Sequence, residues 1–379
     1  MKNPTLNPAL VIAEIGTSHG GSLEKAEKLI DAAVDAGADA VKFQWVYADE
    51  ILHPDTGFVN LPGGKVRLYD RFKALETDES FFRHCLDYAR SKNAKFICSP
   101  FGLKSLEKLL KICPDYIKIA SPELNHFPLL KATAKNRGDI PVIVSTGVSR
   151  LEDIEEALGI LGTDKVTLLH CITCYPAPEE EYNLRLVKTL SQKFSVDCGI
   201  SDHSLDPVLV PCLAVSQGAK IIEKHITLSR ETDGLDDPVA LPPEQFALMC
   251  HTVRQSQTVL RHYGNQKGEA EIIRQMEETA GKQRVEKILG TGIKTLAPSE
   301  KENYGRTNRS LHFLQDMKAG QIVTENSVAV LRTEKILTPG ISPRFLEAVQ
   351  GKTLVRDVKA GEGVLFEDFE NFEQAIKIN

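Results

Sequence analysis

No stretch of this 379-residue chain approaches the ~20 apolar residues that cross a bilayer. Its first residues, MKNPTLNPALVIAEIG, lack the basic, apolar and cleavage-site order of a secretory signal and run straight into a strand pattern. These absences predict a cytoplasmic protein with no membrane partner. Positive charge is also short: 46 Lys and Arg against 52 Asp and Glu leave a net −6, which excludes nonspecific nucleic-acid binding as a main role. Cys171-x-x-Cys174 has no second pair at zinc spacing and no helix start of the redox kind. The eight cysteines (85, 98, 113, 171, 174, 198, 212 and 250) are therefore expected as reduced, mostly buried thiols. No low-complexity segment interrupts the chain.

What is present is a series of short β-branched runs in the first ~230 residues, each ending in acid, base or hydroxyl side chains. They read VIAEIG, DAVKFQ, AKFICS, DYIKIA, PVIVST, KVTLLHC, VDCGIS and KIIEKHI, with charged helical stretches between them. The alternation predicts an α/β fold of the (β/α)8 TIM-barrel type, whose chemistry gathers at the C-terminal ends of the strands. The first unit shows the logic. Ser22 can N-cap a helix whose Leu23, Ala26, Leu29, Ile30, Ala33 and Val34 share one face, and Gly37 can end it. Length suits a barrel of about 250 residues with a smaller unit. The expected division is a barrel over 1–263, a linker with one helix over 264–308, and a small β-rich domain over 309–379. Within the last, D-M-K-A-G (316–320) and D-V-K-A-G (357–361) form a weak repeat that suggests pseudo-symmetric halves. Residues 45–77, rich in Pro and Gly, read as a long lid or binding loop.

Side chains alternate along a strand. Lys42 and Gln44 share one face of DAVKFQ, and that face must be the barrel mouth, or the helix layer would bury a lysine. By the same alternation Glu14, Lys118, Ser201 with His203, and Glu223 with His225 point inward. Lys42 and Lys118 supply positive charge; Ser99, Ser121, Ser145, Thr173 and Ser201 supply hydroxyl donors. An anion carrying phosphate and carboxylate needs such a mixture. His203 and His225, on neighbouring strands and with Glu14, Glu123 and Asp236 in reach, suit a divalent metal of the Mn or Zn kind, which could polarise a carbonyl. A single strand-end serine is more often a backbone cap, and a lone strand histidine more often a core residue. Two lysines inside one barrel are harder to dismiss, because a buried unpaired ammonium is costly. His84, His251 and His262 fall on helix patterns and read as surface residues.

At these residues the chain resembles the sialic acid synthase family of phosphoenolpyruvate-condensing nonulosonate synthases. IAEIGTSHGGSLEKAEKLIDAAVDAGADAVKFQ looks like the family's opening signature, and CSPF, YIKIASPELNHFPLL, VIVSTGV, LLHCITCYPAP, GISDHS and IIEKHIT look like its later motifs, in order. The segment from SLHFLQDMKAGQIV to LVRDVKAGEGVLFEDFE is similar to its antifreeze-like (SAF) domain, and LR…GISPRFLEAVQGK is similar to the spore-coat polysaccharide branch. The resemblance implies condensation of phosphoenolpyruvate with an N-acetylmannosamine-like aldehyde. It implies that Lys42, Ser99, Lys118, Ser121, Ser145, Thr173 and Ser201 hold phosphoenolpyruvate, and that His203 and His225 bind a divalent metal, Mn2+ first, with Mg2+ or Co2+ as alternatives. It further implies that Glu14, Gln44, Tyr175 and Asp236 face the sugar or metal, that Glu123 is placed for proton transfer, and that Arg332 reaches the partner's barrel in a domain-swapped homodimer.

Four positions depart from the family pattern. Ser18-His19 replaces an Asn-His pair, Thr173 replaces an asparagine, DGLD (233–236) followed by Asp237 replaces PGPD, and Arg332-Thr333-Glu334 replaces Arg-Pro-Gly. Three of them fall where the sugar would be recognised, so they bear on its identity rather than on the reaction. Two rival readings stand beside the synthase: a Schiff-base aldolase using Lys42 or Lys118 as nucleophile, and a catalytically lapsed barrel with a carbohydrate-binding small domain.

Overall fold

The computed structural model describes residues 8–61, 64–232, 234–334, 336–370 and 372. Eight parallel strands close into a barrel: β1 (Leu10–Gly16), β2 (Ala40–Trp45), β3 (Lys95–Pro100), β4 (Tyr116–Ile119), β5 (Val142–Ser145), β6 (Val166–Cys171), β7 (Asp197–Asp202) and β8 (Ile221–His225). Each hydrogen-bonds its neighbours in sequence order, and β8 returns to β1. The expected TIM barrel is present, with every strand where the β-branched runs placed it.

The first crossover shows how local chemistry builds the unit. Ser22 Oγ accepts the Lys25 amide and caps the helix Leu23–Asp35. Ala26, Leu29, Ile30 and Ala33 are its buried face, and Gly37, at φ +95°, turns the chain back into β2. Between barrel and helices lies the main apolar layer, with Val11, Ala13 and Ile15 of β1 facing outward into it. Inside, Ile12, Ala40, Ile97, Ile143, Leu169 and Ile221 make a dry floor, one from each of six strands. Two residues further along, the inward positions turn polar. Interior layering of this sort puts reactive groups on a rigid, water-free base.

Residues 45–77 are more ordered than a loop. They form short helices (Ala48–Ile51 and Leu68–Lys73) and a hairpin pairing Phe58–Leu61 with Gly64–Arg67. Val46, Ile51, Leu52, Leu68 and Leu75 cluster with Phe101, just past the end of β3, and with Ala120 and Leu235, so apolar packing ties the segment to the barrel's mouth.

The linker also differs from expectation. It carries two helices, Asn265–Ala280 and Lys282–Leu289, broken at Gly281 with φ +86°. Ile272, Val285, Ile288 and Leu289 are buried in the same apolar layer as the barrel, so the segment belongs to the barrel's packing. The small domain is built on β9 (Arg309–Phe313) and β10 (Val328–Arg332), which are antiparallel. The D-x-K-A-G repeat is a true pseudo-twofold. Asp316 accepts from the Ala360 amide at 3.0 Å and pairs with Lys359, while Asp357 accepts from the Ala319 amide at 3.0 Å and pairs with Lys318. Met317 and Val358 pair between them.

No helix among the described residues is long and apolar enough to cross a membrane. All eight cysteines are unpaired, as expected.

Candidate active site

A cavity of about 200 Å3 opens at the C-terminal ends of the strands. The register explains why its polar groups meet. Glu14 pairs with both Lys42 and His225, Gln44 with Ser99, and Ser201 with both Cys171 and Glu223. Glu14, Lys42, Gln44, Lys118, Ser121, Ser145, Thr173, Tyr175, Ser201, His203, His225, Asp236 and Arg332 all line the cavity. Ser99 and Glu123 do not.

The two lysines are buried and answered by two carboxylates. Lys42 Nζ is 2.5 Å from Glu14 Oε2 and 3.7 Å from Glu223 Oε1; Lys118 Nζ is 3.8 Å from Glu223 Oε1 and donates to Ser145 Oγ at 2.6 Å. Ser201 Oγ donates to the same Glu223 oxygen at 2.8 Å. Glu223 was seen only as an inward neighbour of His225, yet it is the group that holds the lysine pair together. Burial works to raise its carboxyl, but Lys118 and Lys42 outweigh that and bring it down. Burial lowers Lys118 despite Glu223. Lys42 resists burial through Glu14 and Glu223 and is raised.

Glu14 goes the other way. Burial pushes its carboxyl up to about 7 against the pull of Lys42, with Glu223 adding to the rise. Between its ordinary 4.5 and about 7, the folded protein keeps a proton that the unfolded chain has released. Stability from this group is therefore full below 4.5 and is lost as pH rises through about 7. Glu14→Gln should flatten that part of the Tm–pH curve, measured by thermal unfolding across the window; an unchanged slope would count against this assignment.

Hydroxyls converge at the end of β4 and β5. A Cβ on Gly147 would sit 2.1 Å from Thr173 Oγ1 and 2.9 Å from Ser121 Oγ, so only glycine leaves this cradle open. Its amide donates to Ser121 Oγ at 3.0 Å. Thr173 Oγ1 and Glu223 Oε2 are buried with no hydrogen-bond partner among the described residues, a costly state unless a ligand completes it. Glu300, from the stretch read as turn-rich linker, accepts from the Val148 and Thr173 amides at 2.7 and 2.8 Å. It thereby holds Val148 at φ +46°, a conformation that costs a β-branched residue about 1–3 kcal/mol. No spacing in the sequence ties residue 300 to residue 148; that link is long-range.

Two expectations need correction. Ser99 is buried, 3.5 Å from Lys42 Nζ, and does not line the cavity. Glu123 is fully buried behind the cavity, where Arg309 and Arg332 both place Nη2 2.8 Å from its Oε1. The carboxyls that do face the cavity are Glu14, Glu223 and Asp236.

His203 and His225 stand with ring centres 5.6 Å apart. Tyr175 stacks on His203 at 4.2 Å, and His225 Nδ1 is 3.9 Å from Asp236 Oδ2. His203 Nδ1 lies 2.8 Å from Ile172 O, an outer contact that orients a ligating imidazole and leaves Nε2 for an ion. Burial works to lower the imidazole, but Cys171 beside it outweighs that and holds it up at about 9, so an ion taken at Nε2 would displace a proton; the same pairing brings the thiol down. Two imidazoles with a carboxylate are a donor set for Mn2+-like ions. Among the described residues no group of three His, Cys, Asp or Glu side chains is close enough to hold an ion, so an ion here would draw the rest of its shell from water or ligand.

Arg332 reaches the mouth of its own chain's barrel, over the Phe101 ring at 5.3 Å. A parallel bridge from Leu52 to Arg332 seats the small domain on the 45–77 segment.

Over residues 29–265 the chain matches the NeuB family, and over residues 308–370 the SAF domain. The chain belongs to the NeuB family. Spore coat polysaccharide biosynthesis protein SpsE of Bacillus subtilis is 35% identical over 368 residues, 95% of this chain and 93% of that protein. Its crystal structure aligns at a TM-score of 0.77 with 34% identity, covering 96% of this chain and 95% of that one. N,N'-diacetyllegionaminic acid synthase of Campylobacter jejuni is 31% identical over 366 residues, 94% of this chain and 99% of that protein. The crystal structure of N-acetylneuraminic acid synthetase from Leptospira borgpetersenii, with citrate, aligns at a TM-score of 0.60 and 32% identity, covering 72% and 93%.

In this NeuB-family chain two of the departures touch each other. Ser18 Oγ donates to Asp237 Oδ1 at 2.6 Å, and Thr232 donates to Oδ2. Asp237 is fully buried and pins the stretch that carries Leu235 and Asp236 to the cavity wall. Asp233, the first residue of the altered loop, lies outside the described residues. The neighbouring His19 is a packed residue instead, buried, with its ring tilted against Phe81 at 4.6 Å.

Proposed function

We propose that the chain condenses phosphoenolpyruvate with the open-chain form of an N-acetylmannosamine-like amino sugar, giving a nonulosonic acid and phosphate for a surface polysaccharide. One observation carries this reading: Lys42 and Lys118 share a single cavity with His203 and His225, with an open hydroxyl cradle between them. Relatives whose names specify legionaminic, pseudaminic and spore-coat products support it.

In the reaction, C3 of the enol phosphate bonds to the sugar's aldehyde carbon, water adds at C2, and the C2–O bond breaks to release phosphate. Lys42 and Lys118 neutralise the phosphate and carboxylate, in surroundings where a positioned charge is worth more than in water. Ser121, Ser145, Thr173 and Ser201 supply short donors. Gln44, Tyr175, Asp236 and Arg332 face the sugar. A divalent cation held by His203 and His225, Mn2+ first and Mg2+ or Co2+ as alternatives, would supply Lewis-acid polarisation of the aldehyde oxygen. Glu14, with a carboxyl near 7, is the group able to hold and release a proton at neutral pH; Ser99 and Glu123 act from outside the cavity. We also propose a cytoplasmic homodimer in which the small domains are exchanged between subunits.

The test is phosphate release from phosphoenolpyruvate with Mn2+ and a panel of 2-acetamido and 2,4-diacetamido sugars. Release with at least one sugar is expected; none with any would leave the lapsed-barrel reading. The lowered Lys118 favours one rival, a Schiff-base aldolase. Borohydride trapping of a pyruvate adduct would establish that reading, and chelator sensitivity with phosphate release would end it.

A further inference from the structure

Arg309 is the first residue of β9, and its side chain is completely buried. Its guanidinium is fully engaged: Nε and Nη2 donate to Glu123 Oε1 at 3.1 and 2.8 Å, Nη2 also to Phe101 O at 2.8 Å, and Nη1 to Glu50 O at 2.6 Å. Asn125 clamps the main chain of the same residue from both sides, donating to Arg309 O at 2.8 Å and accepting from Arg309 N at 2.9 Å. Directly across the antiparallel pair stands Arg332. Its Nε and Nη2 fall on the same Glu123 oxygen, at 3.2 and 2.8 Å.

One carboxylate charge is therefore divided between two guanidiniums. Arg309 satisfies its other N–H groups on neutral carbonyls. Among the described residues Arg332 has, beyond Glu123, only Glu334, at 4.0 Å, and the Phe101 face as charged or ring partners. It lines the cavity with its positive charge only partly answered. Glu123 Oε2, meanwhile, is buried with no hydrogen-bond partner among the described residues. If Arg309 let go, Arg332 could take both carboxylate oxygens in the bidentate geometry that guanidinium prefers.

We propose that Arg309 is a positioning residue for the acceptor sugar. By occupying Glu123 it keeps Arg332 from retracting into a closed ion pair, and so leaves that guanidinium over Phe101 with charge to offer the acceptor's oxygen atoms. The kinetic part of this inference rests on the proposed condensation; the placement of Arg332 does not.

Two measurements on the full-length chain decide it. The first is steady-state kinetics with N-acetylmannosamine, or whichever sugar of the panel turns over. Loss of a charge-assisted contact should raise the sugar KM about tenfold or more in Arg309→Met, and only a few-fold in Arg309→Lys, with the KM for phosphoenolpyruvate held within about twofold. The double variant Arg309→Met/Arg332→Met should be no worse than Arg332→Met alone, because one residue acts through the other. Equal rises in both KM values, a fall in kcat alone, or additive effects would overturn the proposal. If Arg309→Met does not fold, Arg309→Lys with and without Arg332→Met makes the same comparison. The second is the crystal structure of Arg309→Met without substrate, in which Arg332 should leave the Phe101 ring and move toward Glu123 Oε2, with a smaller shift in Arg309→Lys. An unmoved Arg332 overturns the proposal even if wild-type protein turns over no sugar, whereas that kinetic failure alone would sink only the condensation.

Discussion

Lys42→Met is expected to lower kcat/KM for phosphoenolpyruvate by about a thousandfold, the loss typical of removing a positioned donor to developing charge in a water-poor site. The ammonium sits 2.5 Å from Glu14 and 3.7 Å from Glu223, so no other side chain can take its place between the two carboxylates. Stability should fall as well. Breaking a buried ion pair from one side costs about 3–5 kcal/mol, but Glu14 limits the loss. Lys42 is the largest force holding that carboxyl down. Without it the carboxyl rises further and carries a proton at neutral pH, so one of the two stranded charges disappears. A loss near the lower end, about 3 kcal/mol, is expected from denaturant unfolding. Phosphate release at the wild-type rate in Lys42→Met would remove the lysines from the proposed chemistry.

His203→Ala should show the second large effect. Turnover should fall by about a thousandfold or more, as expected when the electrophilic contribution of a bound cation is lost, and added Mn2+ should no longer change the rate. Chelation of the wild-type protein should have the same effect and be reversed by Mn2+. Calorimetric titration with Mn2+ gives a readout independent of activity: binding in the wild type, and binding weakened at least tenfold in the variant. The substitution also removes the ring on which Tyr175 stacks at 4.2 Å, so Tyr175→Phe is the companion control, expected to keep Mn2+ binding. A His203→Ala protein that retains full activity in chelator would eliminate the metal from the reaction.

Much of the site could be read from alternation. Lys42, Lys118, Ser145, Ser201, His203 and His225 were expected to face one mouth, and they line one cavity. The rule used to orient them is weaker than its success suggests. It held that a lysine would not be buried under the helices, yet Lys224 is buried on the outward face of β8. There Asp202 at 2.6 Å and Ser204 O at 2.7 Å satisfy it. A buried lysine needs partners, not a particular side of the sheet. Period-two pattern tells which residues share a face; it does not tell which partners lie within reach.

The failures have a common form. Glu123 follows β4 closely and looked like a mouth residue, but β9 and β10 fold over it and turn it into the counter-ion of Arg309 and Arg332. Glu300 looked like part of a linker and is instead the clamp on Val148 and Thr173. The 264–308 stretch was expected to hold one helix, because nothing local distinguishes Gly281 as a break from a tolerated helical glycine; its φ of +86° does. The roles of Glu123 and Glu300 depend on contacts spanning more than a hundred residues, for which no periodicity exists.

The eight strands, their inward faces and the family were thus already present in the order of residues, because strand alternation and helix capping are interactions over a few residues and repeat eight times. Which inward groups meet a ligand, which carboxylate carries the proton, and where the small domain's arginine comes to rest were set only when the barrel closed and the small domain docked on it. Those outcomes depend on charge balance and burial among groups far apart in the chain, and such balances exist only once the chain has folded.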